Sequence, residues 1–158
     1  MELHERMTEI FHSGAFTRRH NDVYTGGTFD LFHWGHVNLL RQCRDIAGTG
    51  TVTVGLNTDK FAATYKREPV CTLEERFAVV EACRYVDKVL VNWDGADSRR
   101  IVDTVRPHFV VIGDDWRNKD YNKQMGWDEA WLRDRDISIV YVPYTQEIST
   151  SSIITRIR

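Results

Sequence analysis

From Asp22 onward, short β-branched or apolar runs alternate with stretches of helical periodicity, and this alternation restricts the possible folds severely. Phe109-Val110-Val111-Ile112 is apolar without interruption, the pattern of a parallel strand buried on both faces. Val23-Tyr24-Thr25 reads as a strand that meets a turn at Gly26-Gly27, and residues 51–56, 86–91 and 137–142 read as three more strands. Between them, Val37, Leu39, Leu40 and Cys43 keep helical spacing up to Gly48-Thr49-Gly50. Thr72 and Glu75 form a capping box for a helix over 73–84, residues 98–105 make another, and Ser149 caps a last helix carrying Ile153, Ile154 and Ile157. Such alternation predicts an α/β fold with a central parallel sheet of about five strands. Ligands of these sheets bind beyond the carboxyl ends of the strands, where the strand order reverses. The functional loops are therefore expected after the first, second, fourth and fifth strands.

A chain of 158 residues, 42% hydrophobic, suits one domain over residues 22–158, preceded by an N-terminal arm over 1–21. In the arm, Met7, Ile10 and Phe11 line one side of a short helix, which reads as a mobile arm or a helix packed on a neighbour. His4, His12 and His20 are spaced by eight with no carboxylates arranged around them, so no metal site is expected there. The 21 Lys and Arg oppose 23 Asp and Glu, a balance that argues against a general grip on nucleic acid or anionic membrane. No apolar run approaches the roughly 20 residues of a membrane span, and Met-Glu-Leu-His-Glu-Arg lacks the apolar core of a secretory signal. Cys43, Cys71 and Cys83 contain no C-x-x-C pair and fit neither a disulfide scaffold nor a cysteine zinc site; a cytoplasmic location is expected.

The chemistry concentrates in Gly26-Gly27-Thr28-Phe29-Asp30-Leu31-Phe32-His33-Trp34-Gly35-His36. Two glycines allow backbone amides to approach a ligand closely, and a helix opens in the same stretch. His33 and His36 lie three apart, so on one helical turn they point to the same side. Two imidazoles beside the positive end of a helix suit a polyphosphate whose charge shifts during transfer.

Gly27-Thr28-Phe29-Asp30 followed by His33-Trp34-Gly35-His36 resembles the signature of the H-x-G-H nucleotidyltransferases, and within them the glycerol-3-phosphate cytidylyltransferases. Further segments match in order: Asn57-Thr58-Asp59, Glu75-Arg76, Arg84-Tyr85-Val86-Asp87-Lys88-Val89, Gly113-Asp114-Asp115-Trp116 and Ile148-Ser149-Thr150. The resemblance implies a Rossmann-like three-layer fold, CTP and Mg²⁺, a small phosphorylated acceptor, pyrophosphate release without a covalent intermediate, and a homodimer. It implies that His33 and His36 stabilise the α-phosphate and that Gly27, Thr28 and Phe29 hold the triphosphate. Asp30 would orient a histidine or lie near the metal, although no residue is assigned directly as a metal ligand. Asp115 and Trp116 would lie near the base, and Ile148, Ser149 and Thr150 near the leaving phosphates. Lys66 and Arg84 are expected at the reacting phosphates, with Asp59, Arg67 and Arg76 on the substrate side.

Each residue also has a structural reading. Arg84 pairs with Glu81 or Asp87, Arg76 shapes its helix surface, Asp114 and Asp115 close a turn, Ser149 and Thr150 cap a helix, and Trp34 and Trp116 pack. Two segments depart from the pattern of these enzymes. Tyr144-Thr145-Gln146-Glu147 replaces a segment that usually carries an arginine and a glycine, and Tyr65-Lys66-Arg67 supplies the basic charge after Asp59 in a shifted register. Residues 117–136 are longer than the resemblance leads one to expect, and Lys119, Lys123 and the aromatics there suit an altered acceptor pocket or a subunit contact. The expected activity is CMP transfer to a small phosphorylated acceptor such as glycerol 3-phosphate. AMP transfer from ATP and a non-catalytic nucleotide-binding module are the alternatives.

Overall fold

The computed structural model describes residues 2–13 and 21–158, with only the backbone of 9–13. Helix α1 (Leu3–Ser13) is followed by strand β1 (Val23–Gly27), α2 (Trp34–Ala47), β2 (Val52–Asn57), α3 (Asp59–Tyr65), α4 (Leu73–Glu81) and β3 (Lys88–Asn92). The chain continues through α5 (Arg99–Val105), β4 (Phe109–Gly113), one 3-10 turn (Asp114–Trp116), α6 (Tyr121–Met125), α7 (Glu129–Asp134), β5 (Ser138–Val142) and α8 (Thr150–Ile157). All five strands are parallel, in the order β3-β2-β1-β4-β5. Val23 thus lies between Val52 on one side and Phe109 on the other, and the order reverses between β1 and β4.

Alternation along each strand feeds two separate layers. Tyr24, Val110 and Ile112 face α5, α6 and α7 through Ile101, Val102, Val105, Tyr121, Met125 and Leu132. Val23, Val54, Leu56, Val89 and Val111 face the other side, where Leu40, Cys43 and Ala47 of α2 and Phe77 and Val80 of α4 cover them. With helices on both faces, this is the three-layer, Rossmann-like α/β fold that the alternation predicts. No helix among the described residues is long and apolar enough to cross a membrane.

The structure adjusts several element boundaries. The helix expected over 73–84 ends at Glu81, where Cys83 N–H turns back to the Val80 carbonyl. The third strand begins at Lys88 rather than 86, because Val86 closes a turn onto Cys83 and Asp87 Oδ2 accepts Val52 N–H. Thr58 caps the seven-residue α3, which is too short to show periodicity. Within 117–136 the aromatics pack inward: Trp127 and Trp131 stack at 5.5 Å, and Tyr121 meets Trp127 edge-on.

The described side chains of α1 pack on this chain's own domain rather than standing free of it, while residues 14–20 of the expected arm over 1–21 lie outside the described residues. Met7 is 2% exposed and joins the α4 side of the core, and Arg6 pairs with Glu81 at 2.9 Å. Ile10, Phe11, His12 and His20 have side chains outside the described residues.

Candidate active site at the carboxyl ends of the sheet

A cavity of about 570 Å³ opens where β1, β2, β4 and β5 end, a size that suits a small-molecule ligand. Its lining brings together Gly27, Thr28, Phe29, Asp30, His33, His36, Lys66, Arg67, Asp115, Trp116, Ile148, Ser149 and Thr150, all expected from the sequence.

His33 is the N-cap of α2. Its Nδ1 accepts the Gly35 N–H at 3.1 Å, and His36 Nδ1 accepts the His33 N–H at 3.2 Å. Two imidazoles thereby form a reciprocal cap of the kind usually made by Ser and Glu. Because both Nδ1 atoms accept, the proton of each neutral ring sits on Nε2, and each ring becomes an N–H donor at its other edge. The rings stack at 3.8 Å, an arrangement suited to uncharged imidazoles. Burial lowers the His33 pKa and brings that of His36 down to about 3, with His33 and Lys66 adding to the second shift. The pair therefore acts as two neutral donors at the positive end of a helix.

This depressed pKa has a consequence for stability. Above the ordinary histidine value of about 6.5, folded and unfolded chains both hold the imidazole neutral. As pH falls toward about 3, the unfolded chain takes up a proton that the folded chain does not, and stability is lost. Urea midpoints should drop between about pH 7 and about pH 4, and His36→Gln should flatten that dependence.

Gly35 makes the cap possible. A Cβ at Gly35 would lie 2.9 Å from His33 Cε1, 3.0 Å from its Nδ1 and 3.1 Å from Ile148 Cγ2. A side chain would push the His33 ring off the amide it covers. Gly35→Ala is expected to lower kcat of any reaction that uses the His33 ring by about 10-fold or more, since sub-ångström misplacement of a reacting group is costly. Thermal unfolding should move far less than kcat.

The turn before α2 is strained: Phe29 has φ +54° and Leu31 φ +47°, values an L side chain adopts at a cost of about 1–3 kcal/mol each. Asp30 holds that turn in place. Its Oδ1 accepts from Leu31 N–H and Cys71 N–H, and its Oδ2 accepts from Val70 N–H at 2.9 Å. Asp30 thus anchors the turn, while its charge still acts on His36, raising that pKa against the larger lowering by burial. Thr150 Oγ1 donates to the Asp30 carbonyl at 2.9 Å, joining this turn to the start of α8. Thr28 Oγ1 is 3.0 Å from Tyr65 Oη, which also accepts from Asn57 Nδ2 at 2.8 Å.

Ser149 caps α8 by accepting Ser152 N–H, and Ser152 Oγ accepts Ser149 N–H in return. With both hydroxyls of Ser149 and Thr150 engaged in the protein, the first-turn amides of α8 are what this helix offers an anion. Arg67 stands beside them, bonding Ser151 Oγ at 3.3 Å and lying 3.8 Å from Asp30 Oδ2. Lys66 lines the cavity with a pKa lowered by burial and by Arg67.

At the β4 edge, Gly113 leaves room for Asp115: a Cβ there would meet Asp115 Oδ1 at 2.6 Å and Tyr144 Cδ2 at 3.4 Å. Tyr144, where the resemblance leads one to expect an arginine nearby, is 42% exposed at the cavity rim and fixed by its N–H to Asp114 Oδ1. Glu147 adopts φ +66° at the position where the resemblance places a glycine, which explains that preference in backbone terms.

Three expected substrate residues are not brought to the cavity. Arg84 precedes β3 and so lies at the amino end of the sheet, exposed, with its guanidinium 5.2 Å from the Tyr85 ring centre. Arg76 is buried, 2% exposed, and pairs with Asp59 at 2.6 Å. It also donates to the carbonyls of Thr28, Asn57 and Cys71, so Arg76 and Asp59 clamp three loops together behind the site. Sequence reasoning missed Asn57, Tyr65 and Thr145, which line the cavity with Tyr144. Asn57 ends β2, so the rule that ligands lie beyond strand ends points to it; Tyr65 belongs to the unforeseen α3 and carries no such signal.

Comparison with known proteins agrees with this fold. Glycerol-3-phosphate cytidylyltransferase of Bacillus subtilis (strain 168) is 35% identical over 133 residues, 83% of this chain and 92% of that one. FAD synthase of Thermococcus kodakarensis is 28% identical over 138 residues, 85% of this chain and 90% of its own length. The crystal structure of the lipopolysaccharide core biosynthesis protein from Thermoplasma volcanium GSS1 shares the fold, with a TM-score of 0.63 at 22% identity over 79% of this chain and 98% of that one. The profile of the family described as Cytidylyltransferase-like matches residues 24–156, from the first strand of the sheet through α8, and the chain belongs to that family.

Proposed function

We propose that the protein transfers CMP from CTP to a small phosphorylated acceptor, glycerol 3-phosphate or a compound like it, and releases pyrophosphate. The observation that carries this reading is the His33–His36 cap, which aims two neutral Nε2–H donors into the cavity beside the α2 N-terminus. An oxygen of the acceptor phosphate attacks the α-phosphorus, and the bond to the bridging oxygen breaks with its electron pair leaving on pyrophosphate. Both imidazoles donate hydrogen bonds to the five-coordinate α-phosphate, which gains charge relative to the ground state. The α8 amides, Arg67 and Lys66 hold the leaving β- and γ-phosphates. Asp115, beside Tyr144 and Trp116, accepts from the exocyclic amine of the base.

Mg²⁺ is part of this proposal as counter-ion of the triphosphate. Asp30 and Asp115 are the carboxylates of the lining; backbone amides engage Asp30 and the base takes Asp115, so phosphate and water oxygens would hold the ion. Mg²⁺ commonly keeps several waters beside substrate phosphates, and here it would supply charge neutralisation. A homodimer in the cytoplasm completes the proposal, and sedimentation at micromolar concentration reads the dimer directly.

An exocyclic amine is common to cytosine and adenine, and the similarity to an FAD synthase gives AMP transfer from ATP its support as the second reading. Incubation with Mg²⁺, each nucleoside triphosphate and a panel of phosphate monoesters, read by pyrophosphate release, decides between them. Release with CTP supports the first reading and release with ATP alone the second. Binding of nucleotide without release under any pairing would leave a binding module.

A further inference from the structure

One end of the cavity is built differently from the phosphate end. It lies on the α5–α6 side of β1 and is lined by Tyr24, Ser98, Ile112, Tyr121, Gln124 and Met125. None of these side chains carries a charge, and Lys119 and Lys123 from the same stretch are exposed outside the lining. The Tyr121 hydroxyl is buried without a hydrogen-bond partner in a residue only 4% exposed. A buried hydroxyl left unmatched is a costly feature to retain unless something bonds to it. Ser98, 3% exposed, spends its hydroxyl on the weak acceptor Met125 Sδ at 3.7 Å, a bond readily exchanged for one to a better acceptor.

This wall is held rigidly. Ser98 N–H donates to the Met125 carbonyl at 2.8 Å, tying the start of α5 to α6, and Asn92 Nδ2 donates to Ser98 Oγ at 3.3 Å. The Tyr121 ring is packed edge-on by Trp116 and Trp127. Tyr24 lies over the sheet where Gly26 and Gly55 leave space; a Cβ on Gly55 would stand 2.1 Å from Tyr24 Oη. Both rings are buried, and the polar atoms of the tyrosines in this wall are uncharged hydroxyls, that of Tyr121 without a partner. A cationic headgroup needs a counter-charge or an open ring face, and this wall provides neither.

Resting on the transfer reading, we propose that this wall is the subsite for the organic part of the acceptor, with Tyr121 and Ser98 as specificity-determining residues that select an uncharged, hydroxyl-bearing group over an ammonium group. The triphosphate occupies the His33, His36 and α8 end, and the base lies against Asp115 and Tyr144, so the remaining end receives the acceptor.

The test is steady-state pyrophosphate release with Mg²⁺ and the active triphosphate, using glycerol 3-phosphate and a tetritol phosphate against phosphocholine and phosphoethanolamine. Wild-type protein should favour the polyol phosphates. Tyr121→Phe should lower their kcat/KM by about 10-fold, as expected for one lost hydrogen bond to substrate, while the KM for triphosphate stays within twofold. The melting temperature of the free variant should not fall, because the removed hydroxyl has no partner to lose. Ser98→Ala repeats the measurement from the other side of the wall should Tyr121→Phe fail to fold. Preference for an ammonium acceptor, a raised triphosphate KM, or unchanged polyol kinetics in both variants would overturn the subsite while transfer itself stood. Absence of release with every pairing would instead overturn the transfer reading and the subsite with it.

Discussion

Replacing His36 with alanine is expected to lower kcat for nucleotidyl transfer by about 10²- to 10³-fold, the loss typical of a main donor to developing charge. Tautomer and position together set the size of this loss. His36 Nδ1 is committed to the His33 amide, so the proton available to substrate is on Nε2, and burial keeps the ring from titrating near neutral pH. The same substitution removes half of the reciprocal cap on α2, whose loss costs about 1 kcal/mol. Stability and rate therefore separate: a small fall in melting temperature should accompany a large fall in kcat. If nucleotide KM rose while kcat held, His36 would be a binding residue and not the donor described here.

Arg76→Ala should destabilise the fold by about 3 kcal/mol, or about 10 °C in melting temperature for a domain of this size. Its guanidinium is almost wholly buried and serves Asp59 together with the carbonyls of Thr28, Asn57 and Cys71. Removing it strands those three acceptors, while Asp59, 41% exposed on its side chain, is partly rescued by solvent. That solvent contact places the expected loss at the low end for a buried ion pair. Arg76→Lys should recover little, because an ammonium does not reproduce a planar fork that reaches four acceptors. Thermal unfolding monitored by circular dichroism checks both variants. A normal melting temperature with a raised acceptor KM would return Arg76 to the substrate side, where the resemblance placed it.

These two residues show what a sequence reveals and what it hides. The stretch from Gly26 to His36 is legible because strand, glycine turn and paired imidazoles are contiguous, and its chemistry is local. The alternation from Val23 to Val142 likewise predicts a parallel sheet, since each strand carries its own pattern. Arg76 is opaque for the opposite reason. Its partners come from the β1 loop, the end of β2 and the segment before α4, and a helical arginine ordinarily reads as solvated. Arg84 fails differently: a residue that precedes a strand lies at the amino end of the sheet, opposite the ligands, so strand direction already argues against it. Asp30 belongs to the motif, yet its oxygens are taken by Leu31, Val70 and Cys71, a role set by a loop 40 residues away in the chain. Tyr121 lies in the 117–136 stretch whose aromatics suit an acceptor pocket, yet the five-residue α6 is too short for its pattern to single out that one residue.

Direct transfer of a nucleotidyl group at the His33–His36 cap is tested most directly with CTP labelled at the α-phosphate, Mg²⁺ and glycerol 3-phosphate in a single turnover. The label should pass into an acceptor product as pyrophosphate appears in equal amount, with none retained on the protein after denaturation. Label bound covalently to the chain would contradict a direct displacement, and label remaining wholly in CTP would contradict cytidylyl transfer to this acceptor.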